Sequence, residues 1–510
     1  MGSEGQLSAD VIVVGAGSAG AAAARRLVDR GDIRVLLLEA GARDTNPAIH
    51  DPQRTHELWL AREDWAYHTV PQPEAAGRRL HWPRGRVLGG SSALNGMIWV
   101  RGAPVDYDNW AYNGASGWAW EDVRPVFERA EESVEPLVDY ERQPIHEAIV
   151  AACVETGIDF NPNYNGEQLD GVSYMHLTIK DGRRNHTSPA YLGSILDHPN
   201  LTVVTGARAR RLLLEGSRCV GVEWERDGRA EQARAESEVI VSAGTIESPP
   251  LLMRSGIGPA EHLRSLGIDV AVDLPGVGGN LHDHLLSPLI FSTERAIEPP
   301  VPGVPQQQTH LWWRSRPGLV APDVQPIHFS VPLYEPWMEG PPEAFSLMAG
   351  MIRPMSRGTI RLSGPKLQDE LLIDPRTLAC ESDLRTLEEA VLLCREIGAA
   401  PALRAWGAGE LYPGLGVATH ADVRDWVRKT AITYHHQVGT CKMGIDVDAV
   451  VDPELRVHGI DGLRVADASV MPTVPSGNTN APSIMIGERV SDFFLRVHAP
   501  GAAEGATVSA

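Results

Sequence analysis

The chain has 510 residues, 43% of them hydrophobic and 22% charged, a composition typical of a folded globular protein with more than one domain. Its formal net charge of −20 argues against nucleic acid or an anionic membrane as a main partner, because both bind clustered positive charge. No apolar run reaches the length of about 18 residues that a transmembrane helix needs, so no transmembrane segment is expected.

The cysteines and the chain ends suggest a compartment. The five cysteines include no C-x-x-C pair, and the first ten residues, MGSEGQLSAD, lack the basic and apolar regions of a secretory signal. Unpaired thiols favour a reducing environment, so we expect a cytoplasmic protein. Because no C-x-x-C pair is present, we expect no metal site. The small polar residues at 496–510 predict a flexible tail.

The first predicted elements are a strand, a glycine turn, a helix and a second strand, in DVIVVGAGSAGAAAARRLVDRGDIRVLLLEAG. Gly15 permits the tight turn, Gly17 lets the backbone approach a pyrophosphate, and Gly20 lets the helix pack against the strand. Glu39 ends the second strand 19 residues later, where a carboxylate can accept hydrogen bonds from a ribose hydroxyl. The pattern predicts a dinucleotide site, either NAD or FAD. A glycine-rich turn in an unrelated α/β unit is the alternative.

Five further segments carry unusual patterns of glycine, histidine and asparagine. They are GRVLGGSSALNGMIWVRG at 85–102, GTIESPPLLMRSGIG at 244–258, PGVGGNLHDH at 275–284, TYHHQVGTCKMG at 433–444, and VADASVMPTVPSGNTNAPSIMIGERVSDF at 465–493. Together with the glycine turn, and in this order, they resemble the glucose–methanol–choline (GMC) family of FAD-dependent oxidoreductases. The resemblance extends over about residues 10–495.

The resemblance implies FAD as the cofactor and assigns residues to it. The implied binding residues are Gly15, Gly17, Ser18, Gly20 and Glu39 for the ADP half, Val87, Gly90, Ser91, Asn95, Gly96 and Met97 along the pyrophosphate and isoalloxazine, Ala209 beside the adenine, and Asp467 and Ala468 over the ribityl chain. An anionic Asp467 beside a pyrophosphate is expected to orient backbone N–H groups. Some members tether FAD through a histidine at the position of Trp82, so we expect non-covalent FAD.

By its residues alone, TYHHQVGTCKMG allows a metal site, a Cys/His nucleophile pair or a proton-transfer site. The resemblance makes His436 the active-site histidine and puts its partner 44 residues later, at Asn480. Imidazole, with an unperturbed pKa of about 6.5, suits a base that takes an alcohol proton. An asparagine NH2 can donate a hydrogen bond to the substrate oxygen. The resemblance therefore implies oxidation of a primary alcohol to an aldehyde, with hydride transfer to the flavin N5.

The middle of the chain carries the predicted substrate side. The runs THLWWRSRP, VQPIHFSVPLY, FSLMAGMIRP and GTIRLSG read as successive strands and predict an antiparallel sheet. Trp312, Phe329 and His435 are candidate pocket residues. Because choline-active relatives carry Tyr where His435 stands, an aromatic or heteroaromatic methanol is favoured. A choline-type enzyme and an FAD-containing hydroxynitrile lyase remain alternatives, and the electron acceptor is O2 or another molecule.

These patterns predict an α/β fold (α+β overall) with two discontinuous domains. Residues 8–150, 195–290 and 430–495 would form a Rossmann-like FAD-binding domain. Residues 151–194 and 291–429 would form a substrate-binding domain built on the antiparallel sheet. The oligomeric state is left open.

Overall fold

The structure is a computed structural model that describes residues 7–498 of the chain. Its helices are α1 Ser18–Val28, α2 Pro47–His50, α3 Pro104–Tyr112, α4 Trp120–Val134, α5 Pro144–Glu155, α6 Gly244–Arg254, α7 Ala260–Ser265, α8 Glu381–Gly398, α9 Pro401–Arg404, α10 His420–Thr430 and α11 Asn480–His498. Over the same described range, no helix is both long and apolar enough to cross a bilayer.

The strands are β1 Leu7–Val14, β2 Val35–Glu39, β3 Tyr67–His68, β4 His81–Trp82, β5 Gly171–Tyr174, β6 Ile179–Lys180, β7 Arg183–Arg184, β8 Leu201–Thr205, β9 Arg208–Glu215, β10 Arg218–Arg226, β11 Arg229–Val241, β12 Ile257–Gly258, β13 Val272–Asp273, β14 Leu285–Ser292, β15 Gln307–Trp312, β16 Ile327–Phe329, β17 Ala344–Met351, β18 Thr359–Leu362, β19 Leu371–Asp374, β20 Gly409–Tyr412, β21 Ile432–Thr433 and β22 Leu463–Val465. Most of them belong to two seven-stranded sheets, and the others form two-stranded pairs.

The first sheet has the order β8-β2-β1-β11-β10-β9, with β22 also paired to β11. β1 runs parallel to β2 and β11, whereas β9, β10 and β11 form an antiparallel meander. The apolar ends of β1 and β2 are fully buried, as expected for parallel strands covered on both faces. α1 crosses from β1 to β2 and packs on α11, where a Cβ on Gly487 would lie 2.1 Å from the carbonyl oxygen of Ala19.

The second sheet is antiparallel and has the order β20-β14-β17-β16-β15-β5, with β21 also paired to β14. One face packs on α5 and α8 through residues such as Leu347 and Leu387. The other face contributes Leu286, Ile327 and Met348 to a separate apolar cluster. Because both faces are covered, β14 and β17 are buried along almost their whole length and do not alternate with solvent.

The predicted fold class, a Rossmann-like unit joined to an antiparallel sheet, is confirmed. Three of the four predicted strand runs supply β15, β16 and β17, but GTIRLSG forms β18, which pairs only with β19. The domain boundaries stay a prediction. The boundary at 290 falls inside β14, and β21, predicted with the cofactor domain, pairs with β14. Residues 496–498 of the predicted tail belong to α11, and the rest of it lies outside the described residues.

Candidate active site

A cavity of about 570 Å³ is lined by residues of both large sheets. Val14, Leu38 and Glu39 reach it from the first sheet, and Leu286 and Met348 reach it from the second. Its walls therefore combine the glycine turn at the amino terminus with the histidine stretch near the carboxyl terminus. The sequence motifs meet here although they lie hundreds of residues apart.

The glycine turn supplies a wall of main chain. Gly15, with φ of +102°, sits where a Cβ would lie 2.3 Å from the carbonyl oxygen of Ser242. Gly90, with φ of +54°, approaches Gly17 so closely that a Cβ would lie 2.7 Å from the Gly17 Cα. α1 begins at Ser18 and directs its free N–H groups to the same region. Gly15, Gly17, Ser18 and Gly90 all line the cavity.

Gly20 lies behind this wall and does not line the cavity. A Cβ there would lie 1.9 Å from the carbonyl oxygen of Gly15, so the residue allows α1 to pack against the turn. This is the packing role predicted from the sequence.

Glu39 lines the cavity at the end of β2 and is buried. Its carboxylate accepts hydrogen bonds from the backbone N–H of Ala16 at 3.0 Å and of Gly41 at 2.7 Å. Burial raises the pKa of Glu39 to about 7, and these backbone donors and nearby Arg86 only partly oppose the rise. A carboxyl group held in this way can accept a hydrogen bond from a sugar hydroxyl beside the phosphate-binding turn.

Only some of the predicted cofactor residues in the segment 85–102 line the cavity. Ser91, Asn95 and Gly96 line the cavity. Val87 does not, because it is buried in a small apolar cluster with Ile49 and Leu94. Met97, with φ of +60°, is buried in the cluster that contains Met348 and also does not line the cavity. These two predicted cofactor residues support the wall from behind.

Asp467 organises main chain, as expected from its charge. Its carboxylate accepts from the N–H of Gly244 at 2.9 Å, the hydroxyl of Ser248 at 2.6 Å and the N–H of Ser469 at 2.8 Å. Asp467 and Ala468 line the cavity, and so does Ala209. Trp82, at the position where some relatives tether the flavin, is buried in another apolar cluster.

The donor set fits FAD. The side-chain-free surface at Gly15, Gly17 and Gly90, with the amino end of α1, suits a diphosphate. Glu39 suits a ribose at one side of this cradle, and Asn95, Gly96 and Ala468 extend the wall beyond it. The cavity reaches His436, so a cofactor in the cradle can extend to the histidine.

His436 is held by Asp283 and is buried. The Asp283 carboxylate accepts from the His436 N–H at 2.8 Å, from the Thr433 hydroxyl at 2.5 Å and from the Gln437 side chain at 3.0 Å. Burial, with His284, His435 and Arg84 nearby, lowers the pKa of His436 well below its ordinary value. The lowered pKa favours the neutral imidazole, which has one ring nitrogen free to accept a hydrogen bond.

The asparagine beside His436 is Asn478. Its Nδ2 lies 3.1 Å from His436 Nε2, and both residues line the cavity. Asn480, predicted as the partner, is instead the first residue of α11, and its Oδ1 accepts a hydrogen bond from the Ser18 hydroxyl at 2.8 Å. The asparagine that contacts His436 is thus two residues before the predicted one, although Asn480 also lines the cavity.

A second histidine, to which the sequence alone assigns no role, contacts the site. His284 Nδ1 lies 3.0 Å from His436 Nδ1, so one of these two nitrogens carries a hydrogen and donates it to the other. His284 is the residue before β14, next to β21, which leads into the histidine stretch. The sequence signal was NLHDHL, a histidine pair directly before a continuous apolar strand.

The three candidate pocket residues have different positions. Phe329 and His435 line the cavity. The His435 ring lies 5.1 Å from that of Trp59, and burial together with Arg84 lowers its pKa to about 3. Trp312 does not line the cavity, which corrects that prediction. It is buried against Tyr164 and His310, and its Nε1 donates to the carbonyl of Ser476 at 3.2 Å.

Comparison with known proteins agrees with this geometry. Residues 9–286 and 354–487 match two family profiles, both described as GMC oxidoreductase. The chain is 37% identical to an oxygen-dependent choline dehydrogenase of Brucella suis, with 96% of each chain covered. It is 38% identical to the protein of the same name in Rhizobium etli, again over 96% of each chain.

A solved structure is also similar. The crystal structure titled pyridoxine 4-oxidase from Mesorbium loti has 34% sequence identity and a TM-score of 0.91, and the alignment covers 96% of this chain and 99% of that one. These matches extend over nearly the whole chain, and the predicted family is confirmed. The protein belongs to the GMC oxidoreductase family and is an FAD-dependent enzyme that acts on alcohols.

Proposed function

We propose that the enzyme oxidises the primary alcohol of an aromatic or heteroaromatic methanol to the aldehyde, at the end of the cavity formed by His436 and Asn478. The observation that carries this proposal is the apolar cluster that lines the cavity beside the His436 ring. Tyr434 stacks on the His436 ring at 4.6 Å and belongs to an apolar cluster with Leu286 and Met348. The remaining apolar residues of this cluster that line the cavity are Ile98, Ile327, Phe329, Leu333 and Ile432.

The two polar groups have separate tasks in the reaction. A bound alcohol hydroxyl replaces Asn478 Nδ2 as the donor to His436 Nε2, and this nitrogen then accepts the hydroxyl proton. Asn478 Nδ2 donates a hydrogen bond to the same oxygen and stabilises the negative charge that develops there. FAD, when bound, supplies the acceptor for the hydride that leaves the alcohol carbon. The apolar wall excludes water, which strengthens the hydrogen bond from Asn478 to the charged oxygen.

A choline-type substrate is the second candidate, and the 37% identity to an oxygen-dependent choline dehydrogenase supports it. Trp59 and Glu335 also line the cavity, and an aromatic ring with a carboxylate can hold a quaternary ammonium. One feature weakens this candidate: burial raises the pKa of Glu335, and Arg78 already provides it with a positive charge.

The test is an anaerobic titration of the flavin absorbance with benzyl alcohol, pyridoxine, choline and 3,3-dimethylbutan-1-ol, the neutral isostere of choline. We expect an aromatic alcohol to bleach the flavin at the lowest concentration, and choline to show no advantage over its isostere. A clear preference for choline over the isostere would overturn the aromatic assignment and support a cation site.

The same sample allows two further measurements. Rapid return of colour in air would identify an oxidase, and slow return would identify a dehydrogenase that uses another acceptor. If no alcohol bleaches the flavin but the protein cleaves mandelonitrile, the oxidation proposal fails and the lyase alternative replaces it.

A further inference from the structure

Behind Asn478, on the side away from His436, lies a buried glutamine outside the cavity lining. Gln325 precedes β16, and its backbone N–H donates to the carbonyl of Gly350 in β17 at 2.9 Å. The side chain is fully buried. Its Nε2 lies 3.2 Å from Asn478 Oδ1 and 3.5 Å from His310 Nδ1. One hydrogen of this amide therefore faces Asn478 Oδ1, and the other faces His310 Nδ1, which accepts it when the hydrogen of that ring is on Nε2.

The direction of these hydrogen bonds determines what Asn478 can do. A carboxamide can rotate by half a turn with little steric change, so its neighbours decide which end faces which way. Because Gln325 donates to Asn478 Oδ1, the Asn478 NH2 is directed to His436 Nε2. This end of the amide is the one that can stabilise a developing alkoxide.

The same direction continues through His436. A nitrogen that accepts from Asn478 carries no hydrogen, so in the neutral ring the hydrogen is on Nδ1 and is donated to His284 Nδ1. Donation thus runs one way, from Gln325 to Asn478, then to His436 and finally to His284. Without the donor at 325, a reversed Asn478 amide would present its oxygen to His436 and favour the tautomer with hydrogen on Nε2. That tautomer cannot accept the alcohol proton.

We infer that Gln325 is a positioning residue for the alcohol oxidation, because its amide fixes the orientation of Asn478 and through it the tautomer of His436. Gln325 touches no reacting atom. This inference rests on the proposed roles of His436 and Asn478 and adds a residue from the substrate-side sheet to them.

The experiment compares Gln325→Met and Gln325→Glu with the wild type by anaerobic stopped-flow reduction of the bound FAD. Met keeps the volume of the side chain and cannot donate. We expect the limiting rate of flavin reduction to fall about tenfold to a hundredfold, with the apparent dissociation constant of the alcohol nearly unchanged. Gln308→Met is the matched control, since Gln308 is equally buried in β15 but pairs with Gln143 and the carbonyl of Pro305.

Gln325→Glu provides a readout that a merely structural role would not change. A protonated carboxyl group can donate to Asn478 Oδ1, whereas an ionised one cannot. The rate of flavin reduction in this variant should therefore recover towards the wild-type value as the pH falls and decline as it rises, adding a new ionisation to the pH profile. The Gln308→Met control should keep the wild-type profile.

The outcomes separate the inference from the proposed function. If His436→Ala and Asn478→Ala are slow but Gln325→Met reduces its flavin within twofold of the wild type, the inference is wrong and the proposed function stands. If His436→Ala is also unimpaired, the proposed site itself is wrong. Should Gln325→Met fail to retain FAD, the pH profile of Gln325→Glu decides, and a profile identical to the wild type overturns the inference.

Discussion

At one end of the cavity the wall is main chain, and at the other it is side chains. Around Gly15 and Gly90 the backbone comes so close that a Cβ would clash, and the helix amino end provides the polar groups. Around His436 the wall is apolar, and its polar groups are side chains whose hydrogen-bond direction matters. Substitutions at the first end should act by adding side-chain volume. Substitutions at the second end should act by removing a hydrogen-bond donor or acceptor.

The largest effect is expected at the second end, from His436→Ala. This variant removes the group that accepts the alcohol proton, so the rate of anaerobic flavin reduction should fall by about 10²- to 10⁴-fold. FAD should stay bound, because the cradle at Gly15, Gly17 and Gly90 is unchanged.

The control for this prediction is His420→Ala, whose side chain is 75% exposed and pairs with Glu388. It should reduce its flavin at the wild-type rate. Reduction by His436→Ala within a few-fold of that rate would show that another group accepts the proton.

The next comparison uses the two asparagines near the start of α11. Asn478→Ala removes the donor to the substrate oxygen and should slow flavin reduction about 10²-fold. Asn480→Ala removes the acceptor of the Ser18 hydroxyl and should leave the rate within about threefold while lowering stability by about 1 kcal/mol. If Asn480→Ala is instead the slow variant, the partner of His436 is Asn480, as predicted from the sequence.

The two ends also differ in how much of them the sequence could predict. The glycine turn and Glu39 are local, because strand, turn, helix and acid follow one another within about 30 residues and their spacing is fixed by the elements themselves. Asn478 lies 42 residues from His436, and only the folded arrangement of the intervening chain puts it, and not Asn480, in contact with the ring.

The residues that surround His436 are even harder to predict from the sequence. His284 and Gln325 approach the site only because β14 pairs with β21 and because Gln325 bonds to the strand β17. Neither pairing leaves a mark in the local sequence. Trp312 illustrates the opposite error, since an aromatic residue in a strand of the right sheet faces Tyr164 and His310 instead of the cavity.

Glu39 allows the first end to be tested through pH. Its pKa is raised to about 7 in the folded protein, against an ordinary value near 4.5, so the folded state binds the proton more tightly than the unfolded state. The stability of the FAD-free protein should therefore fall as the pH rises from about 5 to 8, with a contribution from Glu39 of up to about 3 kcal/mol.

The measurement is urea unfolding of the FAD-free protein at several pH values, for the wild type and for Glu39→Gln. Gln cannot ionise, so the difference between the two free energies of unfolding should change with pH in favour of the variant above pH 7. A pH-independent difference would mean that Glu39 keeps an ordinary pKa. In the same variant FAD should dissociate more easily, because one ribose acceptor is lost.

The smallest effect is expected from the apolar wall near His436. Phe329 lines the cavity, so Phe329→Leu should raise the apparent dissociation constant of an aromatic alcohol about threefold to tenfold by removing ring contact area.

Trp312→Phe is the matched aromatic change outside the cavity. It loses the hydrogen bond to Ser476 and should lower stability by about 1 kcal/mol, with the dissociation constant unchanged. If Trp312→Phe weakens alcohol binding as much as Phe329→Leu, the substrate contacts a different part of the sheet. An unchanged constant in both variants would instead favour a substrate held at Trp59 and Glu335.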